Sequence, residues 1–268
     1  MTIYFLGGGN MAAAIAGGLV KQGGYHIHIA NRSAEKRARL AAELGVTVSE
    51  KLPELNEHDV MILAVKPQDM QAACAQLSTQ GALVLSVAAG LSIQTLSHYL
   101  GGTQRIIRIM PNTPSQVGLG IAGIYAPPHI SLADQQQAEA IMRTTGEVVW
   151  LHDEQQIHSI TGISGSGPAY VFYLLNALQQ AAINQGFTEQ QARQLSLNTF
   201  KGSVALADQS GEPLSDLQQK VTSKGGTTHE AIQTFNAHQV AQAIQAGVEA
   251  CVARSQAIAQ QFETHHTP

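Results

Sequence analysis

Cysteine is nearly absent: Cys74 and Cys251 are the only two in 268 residues. Two thiols so far apart make neither a disulfide scaffold nor a cysteine-based metal site. Charge is also sparse, at 13% of residues, and its small net excess is acidic, −4 with histidine neutral. That balance argues against a general nucleic-acid binder but leaves room for a local basic pocket. No apolar run is long enough to span a bilayer. The run at the amino terminus meets glycines after Leu6 and has no basic segment before it, so it does not read as a secretion signal. These absences point to a reducing, cytoplasmic setting without a membrane partner. What the chain does have is apolar bulk, 44% of residues, enough for a sizeable core in one large or two ordinary domains. The end, Thr264-His265-His266-Thr267-Pro268, reads as a frayed polar tail, with metal binding by the two histidines as the alternative.

The organising stretch is Thr2-Ile3-Tyr4-Phe5-Leu6-Gly7-Gly8-Gly9-Asn10-Met11-Ala12. An apolar strand runs to Leu6, helix formers begin at Met11, and Gly7-x-Gly9-x-x-Ala12 lies between them. The first glycine permits a tight turn, the second lets a pyrophosphate approach the backbone, and a small third residue lets helix and strand pack closely. The phosphate would sit on the helix amino terminus. A plain glycine-rich turn joining strand to helix is the competing reading, and the position between the two elements favours the dinucleotide site.

Beyond this stretch the first half alternates strand and helix. Strands are expected at His26-Ile27-His28-Ile29-Ala30, Val46-Thr47-Val48, Val60-Met61-Ile62-Leu63-Ala64-Val65, Leu83-Val84-Leu85-Ser86-Val87 and Arg105-Ile106-Ile107-Arg108-Ile109-Met110. The run from Val60 is apolar throughout, as a parallel strand covered on both faces requires. Ile121-Ala122-Gly123-Ile124-Tyr125 and Glu147-Val148-Val149-Trp150 extend the series. The expected fold is α/β, a Rossmann-type doubly wound, mostly parallel sheet followed by an all-α carboxyl-terminal domain. After about Asp153 everything reads as helix, so the expected domains are 1–152 for the dinucleotide and 153–268 for substrate and dimerisation. A helix beginning at Ser166-Gly167-Pro168 is apolar nearly all round and must be covered by its own domain or by a partner subunit. Thr188 with Gln191 forms a capping box for the next helix. The last helix carries Val240, Ile244, Val248, Val252, Ile258 and Phe262 on one stripe.

Two polar stretches carry the chemistry. The second strand ends in Asn31-Arg32-Ser33, without the carboxylate that would bond a ribose 2′-hydroxyl in an NAD site. An arginine and a hydroxyl can instead receive a 2′-phosphate, which favours NADP; a solvated surface cation is the plain alternative for Arg32. Farther on, Val221-Thr222-Ser223-Lys224-Gly225-Gly226-Thr227-Thr228-His229-Glu230-Ala231-Ile232 is a polar loop entering a helix. Free amides at such a start seat an anion, and the glycines let a small ligand reach the backbone. The competing reading is an ordinary cap, with Thr227 or Thr228 capping and Glu230 in the first turn.

Taken together, these residues resemble the Δ1-pyrroline-5-carboxylate reductases over nearly the whole chain. The resemblance rests on Phe5-Leu6-Gly7-Gly8-Gly9-Asn10-Met11-Ala12, Ala64-Val65-Lys66-Pro67, Arg108-Ile109-Met110-Pro111-Asn112-Thr113-Pro114, Gly162-Ile163-Ser164-Gly165-Ser166-Gly167-Pro168-Ala169-Tyr170 and the stretch from Val221 to Ile232. Lys224 departs from it, since the family commonly has proline there. The resemblance implies NAD(P)H-dependent reduction of the cyclic imine of pyrroline-5-carboxylate to L-proline, the last step of proline synthesis, with NADPH preferred on the reading of Asn31-Arg32-Ser33, in a homo-oligomer built from dimers through the carboxyl-terminal helices. It implies that Gly7, Gly8, Gly9, Asn10 and Met11, then Asn31, Arg32 and Ser33, then Ala64, Val65, Lys66 and Pro67, and finally Asn112 bind the cofactor. Ser223, Gly225, Gly226, Thr227 and Thr228 would bind substrate, with the Thr228 hydroxyl on the ring nitrogen. No metal is implied. A 3-hydroxyacid-type dehydrogenase and a non-catalytic NADP-binding redox sensor are the alternative functions.

Overall fold

The computed structural model describes residues 1–263, so the histidine-bearing tail lies outside the described residues. Contacts divide the chain into two compact units. The first is Met1–Ser166 together with the described residues from Ala250 onward, and the second is Gly167–Glu249.

The first unit is built on eight strands: β1 (Thr2–Leu6), β2 (His26–Ala30), β3 (Thr47–Ser49), β4 (Val60–Leu63), β5 (Leu83–Ser86), β6 (Ile106–Met110), β7 (Gly120–Tyr125) and β8 (Gly146–Trp150). Their order across the sheet is β3-β2-β1-β4-β5-β6-β7-β8. Strand β4 is buried at all four residues, the outcome expected of a continuous apolar run between two helical layers. Helices α1 (Asn10–Gln22), α2 (Ala34–Leu44), α3 (Pro67–Cys74), α4 (Ile93–Tyr99), α5 (Leu132–Arg143) and α6 (Gln156–Ile160) follow in turn. The doubly wound, mostly parallel sheet is thus present as expected. Its exception is β7, which pairs antiparallel with β6. Only a short 3-10 turn, Thr113–Val117, intervenes there, and a parallel return needs a dozen or more residues.

The core has two layers. On one face Ile15, Ala16 and Leu19 of α1 and Leu40 of α2 cover Ile3, Phe5 and Ile29. On the other, Met70 and Cys74 of α3 and Leu96 of α4 cover Met61, Leu63 and Val84. Burial pushes the Cys74 thiol up to about 12, so it stays protonated as a small apolar filler.

A cation unmarked by the pattern of apolar residues sits in this core. Arg108 on β6 is 3% exposed, and its Nη1 donates to Glu154 Oε1 at 2.8 Å. The same carboxylate oxygen accepts from the Ile93 amide at 2.7 Å, joining the start of α4 to the sheet. Arg108 Nη2 is buried and has no hydrogen-bond partner among the described residues.

The contact boundary does not coincide with the composition change near Asp153. After α6 a single π-helical turn, Thr161–Gly165, follows, with the Ser166 amide reaching back to Thr161 O at 2.8 Å. The last helix, α11 (Val240–Glu263), enters the first unit at Ala250. Its Ser255 Oγ lies 2.9 Å from His158 Nδ1, and Cys251 Sγ lies 3.2 Å from Ser166 Oγ. These bonds and the apolar stripe of α11 draw both segments into the first unit.

The second unit consists of α7 (Gly167–Asn184), α8 (Glu189–Ser210), α9 (Leu214–Lys220), α10 (Thr227–Ala237) and the first ten residues of α11. The capping box of Thr188 with Gln191 is formed at the start of α8. Helix α7 buries none of its residues fully within the chain, and Phe172 and Tyr173 are 65% and 76% exposed. Apolar side chains on this scale need cover that the chain does not supply. Among the described residues no helix is long and apolar enough to cross a membrane.

Candidate active site

The glycine turn is dictated by close approach. Gly7 has φ +107°, and a Cβ there would lie 2.5 Å from Ala64 O, so no other residue fits without moving β4. Its amide donates to Ala30 O at 2.9 Å, locking β1 to the end of β2. A Cβ on Gly8 would meet Leu40 at 2.8 Å, whereas Gly9 has open space with nothing within 4 Å. Ala12 is fully buried, which is the close helix packing its size permits.

Gly9 is the residue before α1, in extended conformation, with no side-chain cap and no acidic residue in the first turn. The first-turn amides, including those of Asn10 and Met11, therefore have no side-chain acceptor. At the other polar loop no side chain caps the helix start either, although Glu230 lies in its first turn. Gly225 has φ +71°, Gly226 precedes α10, and no side chain caps it. The capping alternative for Thr227 and Thr228 thus fails: the cap position is one residue earlier, and a glycine holds it. Gly226 is also the place where a Cβ would fall 2.5 Å from Ser223 Oγ. Hydroxyl side chains do cap α2, α4, α5 and α8, through Ser33, Ser92, Ser131 and Thr188. Helices α3, α6 and α9 also lack a side-chain cap, but only α1 and α10 among the described helices without one have glycine at the cap position, leaving the first amides open to an external anion.

A cleft of about 840 Å³ opens at the carboxyl ends of β1, β2 and β4, where the strand order reverses. Leu6, Gly7, Gly8, Gly9, Asn31, Arg32, Ser33, Ala64, Val65 and Lys66 line it. These are most of the residues expected to hold the cofactor. Lys66 precedes α3 and Pro67 opens it, so the proline has a structural reason of its own. Asn10, Met11, Pro67 and Asn112 stand outside the lining. Asn112 is buried, and its side chain is engaged at both ends: Nδ2 donates to Ser164 O at 3.1 Å and Oδ1 accepts from the Ile121 amide at 3.0 Å. Ser223, Gly225, Gly226, Thr227 and Thr228 lie together in the second unit, and both threonines are exposed in the single chain.

At the end of β2, Asn31 Oδ1 accepts from the Ser33 amide at 2.8 Å, and Ser33 Oγ accepts from the Lys36 amide at 3.3 Å. Arg37 Nη1 donates to the carbonyls of Asn31 and Arg32 at 2.6 and 3.0 Å, which fixes the turn and leaves Arg32 exposed. Reading the sequence missed four charged members of this lining, Lys36, Glu50, Lys51 and Asp69. Lys36 was within reach, since it is in the first turn after Asn31-Arg32-Ser33. Glu50 and Lys51 follow the end of β3, and only the strand order brings them here; Asp69 lies in the first turn of α3.

The cleft has the shape and donors for a dinucleotide: an open glycine, uncapped amides and cations toward its β2 end. The fold and this cleft define a Rossmann-type oxidoreductase. Residues 2–90 match the family described as NADP oxidoreductase, coenzyme F420-dependent, and residues 154–258 match pyrroline-5-carboxylate reductase dimerisation. A pyrroline-5-carboxylate reductase of Haemophilus influenzae is 40% identical over 261 residues, covering 95% of this chain and 96% of that protein. One from Vibrio alginolyticus is 38% identical over 267 residues, covering 97% and 98%. The solved structure of a pyrroline-5-carboxylate reductase from Coxiella burnetii aligns with a TM-score of 0.86 at 36% identity, covering 96% of this chain and 98% of that one. The chain belongs to the pyrroline-5-carboxylate reductase family.

Proposed function

We propose that the protein reduces the cyclic imine L-1-pyrroline-5-carboxylate to L-proline with NADPH, the last step of proline synthesis, in the cytoplasm. The observation that carries this reading is the pair of uncapped helix starts at Gly9 and Gly226, one for each anionic partner, in a chain similar along its whole length to reductases of this substrate. A redox sensor needs no second anion seat, and the hydroxyacid dehydrogenase reading has no comparable full-length support.

In this reading residues 1–152 bind the dinucleotide, and residues 153–268 supply the substrate seat and the dimer contacts from which larger oligomers are built. The pyrophosphate lies on the amides after Gly9, and Asn31, Arg32 and Ser33 take the 2′-phosphate. Ala64, Val65, Lys66 and Pro67 border the ribose and nicotinamide. Asn112 serves that end by bracing its turn through the bonds to Ser164 and Ile121. Bound NADPH supplies a hydride with its own electron pair, so the chain needs no nucleophile. What the residues must do is fix geometry and exclude water. The amides of Gly226, Thr227 and Thr228 hold the substrate carboxylate, and Ser223 and Gly225 shape the loop around it. The Thr228 hydroxyl bonds the ring nitrogen, positioning the imine first, with proton donation to the nitrogen as a secondary role.

The test is loss of NADPH absorbance on addition of pyrroline-5-carboxylate, run beside NADH and beside Arg32→Ala. Oxidation that requires the imine, favours NADPH and loses that preference in the variant is the expected result. Binding of NADPH without turnover would reduce the protein to a nucleotide binder.

A further inference from the structure

The end of β3 carries a cation toward the same part of the cleft as Arg32, and a chain of side-chain bonds fixes where it stands. Ser49, the last residue of β3, accepts from the Asn31 amide through its carbonyl at 3.0 Å, so it is joined directly to the turn after β2. Its Oγ lies 2.7 Å from His28 Nε2 and donates to Lys51 O. The other ring nitrogen, His28 Nδ1, is 2.8 Å from Thr47 Oγ1. A hydroxyl has one proton to give. Because that of Ser49 goes to Lys51 O, His28 Nε2 must be the donor to Ser49 Oγ. Burial lowers the His28 pKa, and a neutral ring protonated on Nε2 meets this need. Thr47 Oγ1 donates to Ile27 O at 3.0 Å. Donation to the Lys51 carbonyl then runs from His28 through Ser49. Tyr4 of β1 faces the ring at a centroid distance of 5.7 Å, which sets its tilt.

Lys51 lines the cleft with the cations Arg32, Lys36 and Lys66, and two carboxylates, Glu50 and Asp69, line it as well. We propose that Lys51 is a specificity-determining cation for the 2′-phosphate of NADPH, and that His28 and Ser49 are positioning residues that hold its backbone at the β2 end of the cleft. A 2′-hydroxyl offers Lys51 no charge, so its contribution separates NADPH from NADH rather than strengthening both. This rests on the NADPH preference proposed above.

The experiment measures dissociation constants for NADPH and NADH by nicotinamide fluorescence, which does not depend on turnover. Wild type, Lys51→Ala, Arg32→Ala, His28→Phe and His28→Gln are compared. The expected result is a fall of about tenfold in the NADPH-to-NADH affinity ratio for Lys51→Ala, the size of one charge-assisted contact. His28→Phe keeps a ring of similar size but has no donor for Ser49, and should lower the ratio about threefold. His28→Gln can donate to Ser49 and should restore it. Equal losses for both nucleotides in Lys51→Ala, or an unchanged ratio, overturn the proposal. If Arg32→Ala lowers the ratio and Lys51→Ala does not, this inference falls while the reading of the Arg32 site stands. A wild-type ratio near one overturns both. Absence of imine turnover alone would count against the proposed reaction and leave this measurement decisive.

Discussion

Gly9→Asp separates fold from function. Gly9 has φ −79° and ψ −176°, a conformation that any residue adopts, and a Cβ there would meet nothing within 4 Å. An aspartate at this position is a favourable helix cap. Over glycine it gains a few tenths of a kcal/mol as a cap, and its charge adds about 0.3–1 kcal/mol against the helix dipole. For a body of this size about 1 kcal/mol corresponds to roughly 2–4 °C in Tm, so the variant should melt slightly above wild type. Its effect on the dinucleotide is the reverse. The carboxylate takes the amides that the pyrophosphate needs and places like charges about 4 Å apart, a repulsion of about 4 kcal/mol at an effective dielectric of about 20. At about 1.4 kcal/mol per tenfold this weakens NADPH binding by about three decades, and solvent screening sets a floor of roughly thirtyfold. Fluorescence titration of NADPH and a melting curve on the same sample measure the two effects. A raised Tm with NADPH affinity within threefold of wild type would refute the idea that these amides seat the pyrophosphate.

Other substitutions test the rest of the molecule. Thr228→Val keeps the shape and removes the hydroxyl, so turnover should fall by about a hundredfold while NADPH affinity holds; near-normal turnover would sink the proton and positioning role. Glu154→Gln removes the hydrogen-bonded counter-charge of the buried Arg108 and leaves only the longer-range Glu263, a loss of about 2–3 kcal/mol that should lower Tm by about 5–10 °C; a shift below about 2 °C would show that the pair contributes little. His158 has its pKa lowered by burial and then by the nearby Arg108 charge. The unfolded chain therefore takes up a proton first as pH falls. Its stabilisation is present above the unfolded value of about 6.5 and is lost as pH drops toward the folded one. Denaturation midpoints between pH 8 and 5 should show this loss in wild type and a flatter profile in His158→Gln, and identical profiles would remove His158 from the account.

Wherever local pattern and burial coincide, the sequence was readable. The run from Val60 is a buried strand because four consecutive apolar residues have no other stable place. The glycine turn follows from its own spacing, and the structure supplies the reason for the first glycine in the carbonyl of Ala64. Asn31-Arg32-Ser33 line the cleft because a chain leaving β2 must turn there. The competing cap at Thr227 and Thr228 shows the limit of such reading. Composition allowed a hydroxyl cap there, and only the backbone shows that Gly226, with no side-chain cap, holds the cap position.

By itself the sequence determined the alternation of strand and helix, the two glycine-bearing helix starts, and the resemblance that ties them to one reaction, because these are encoded within a few residues of each other. Tertiary structure decided what depends on distant partners. It reversed β7, paired Arg108 with Glu154, brought the end of α11 back to the first unit and set Lys51 beside the turn of Arg32. No local period records such meetings, since strand order and burial, rather than neighbouring residues, create them.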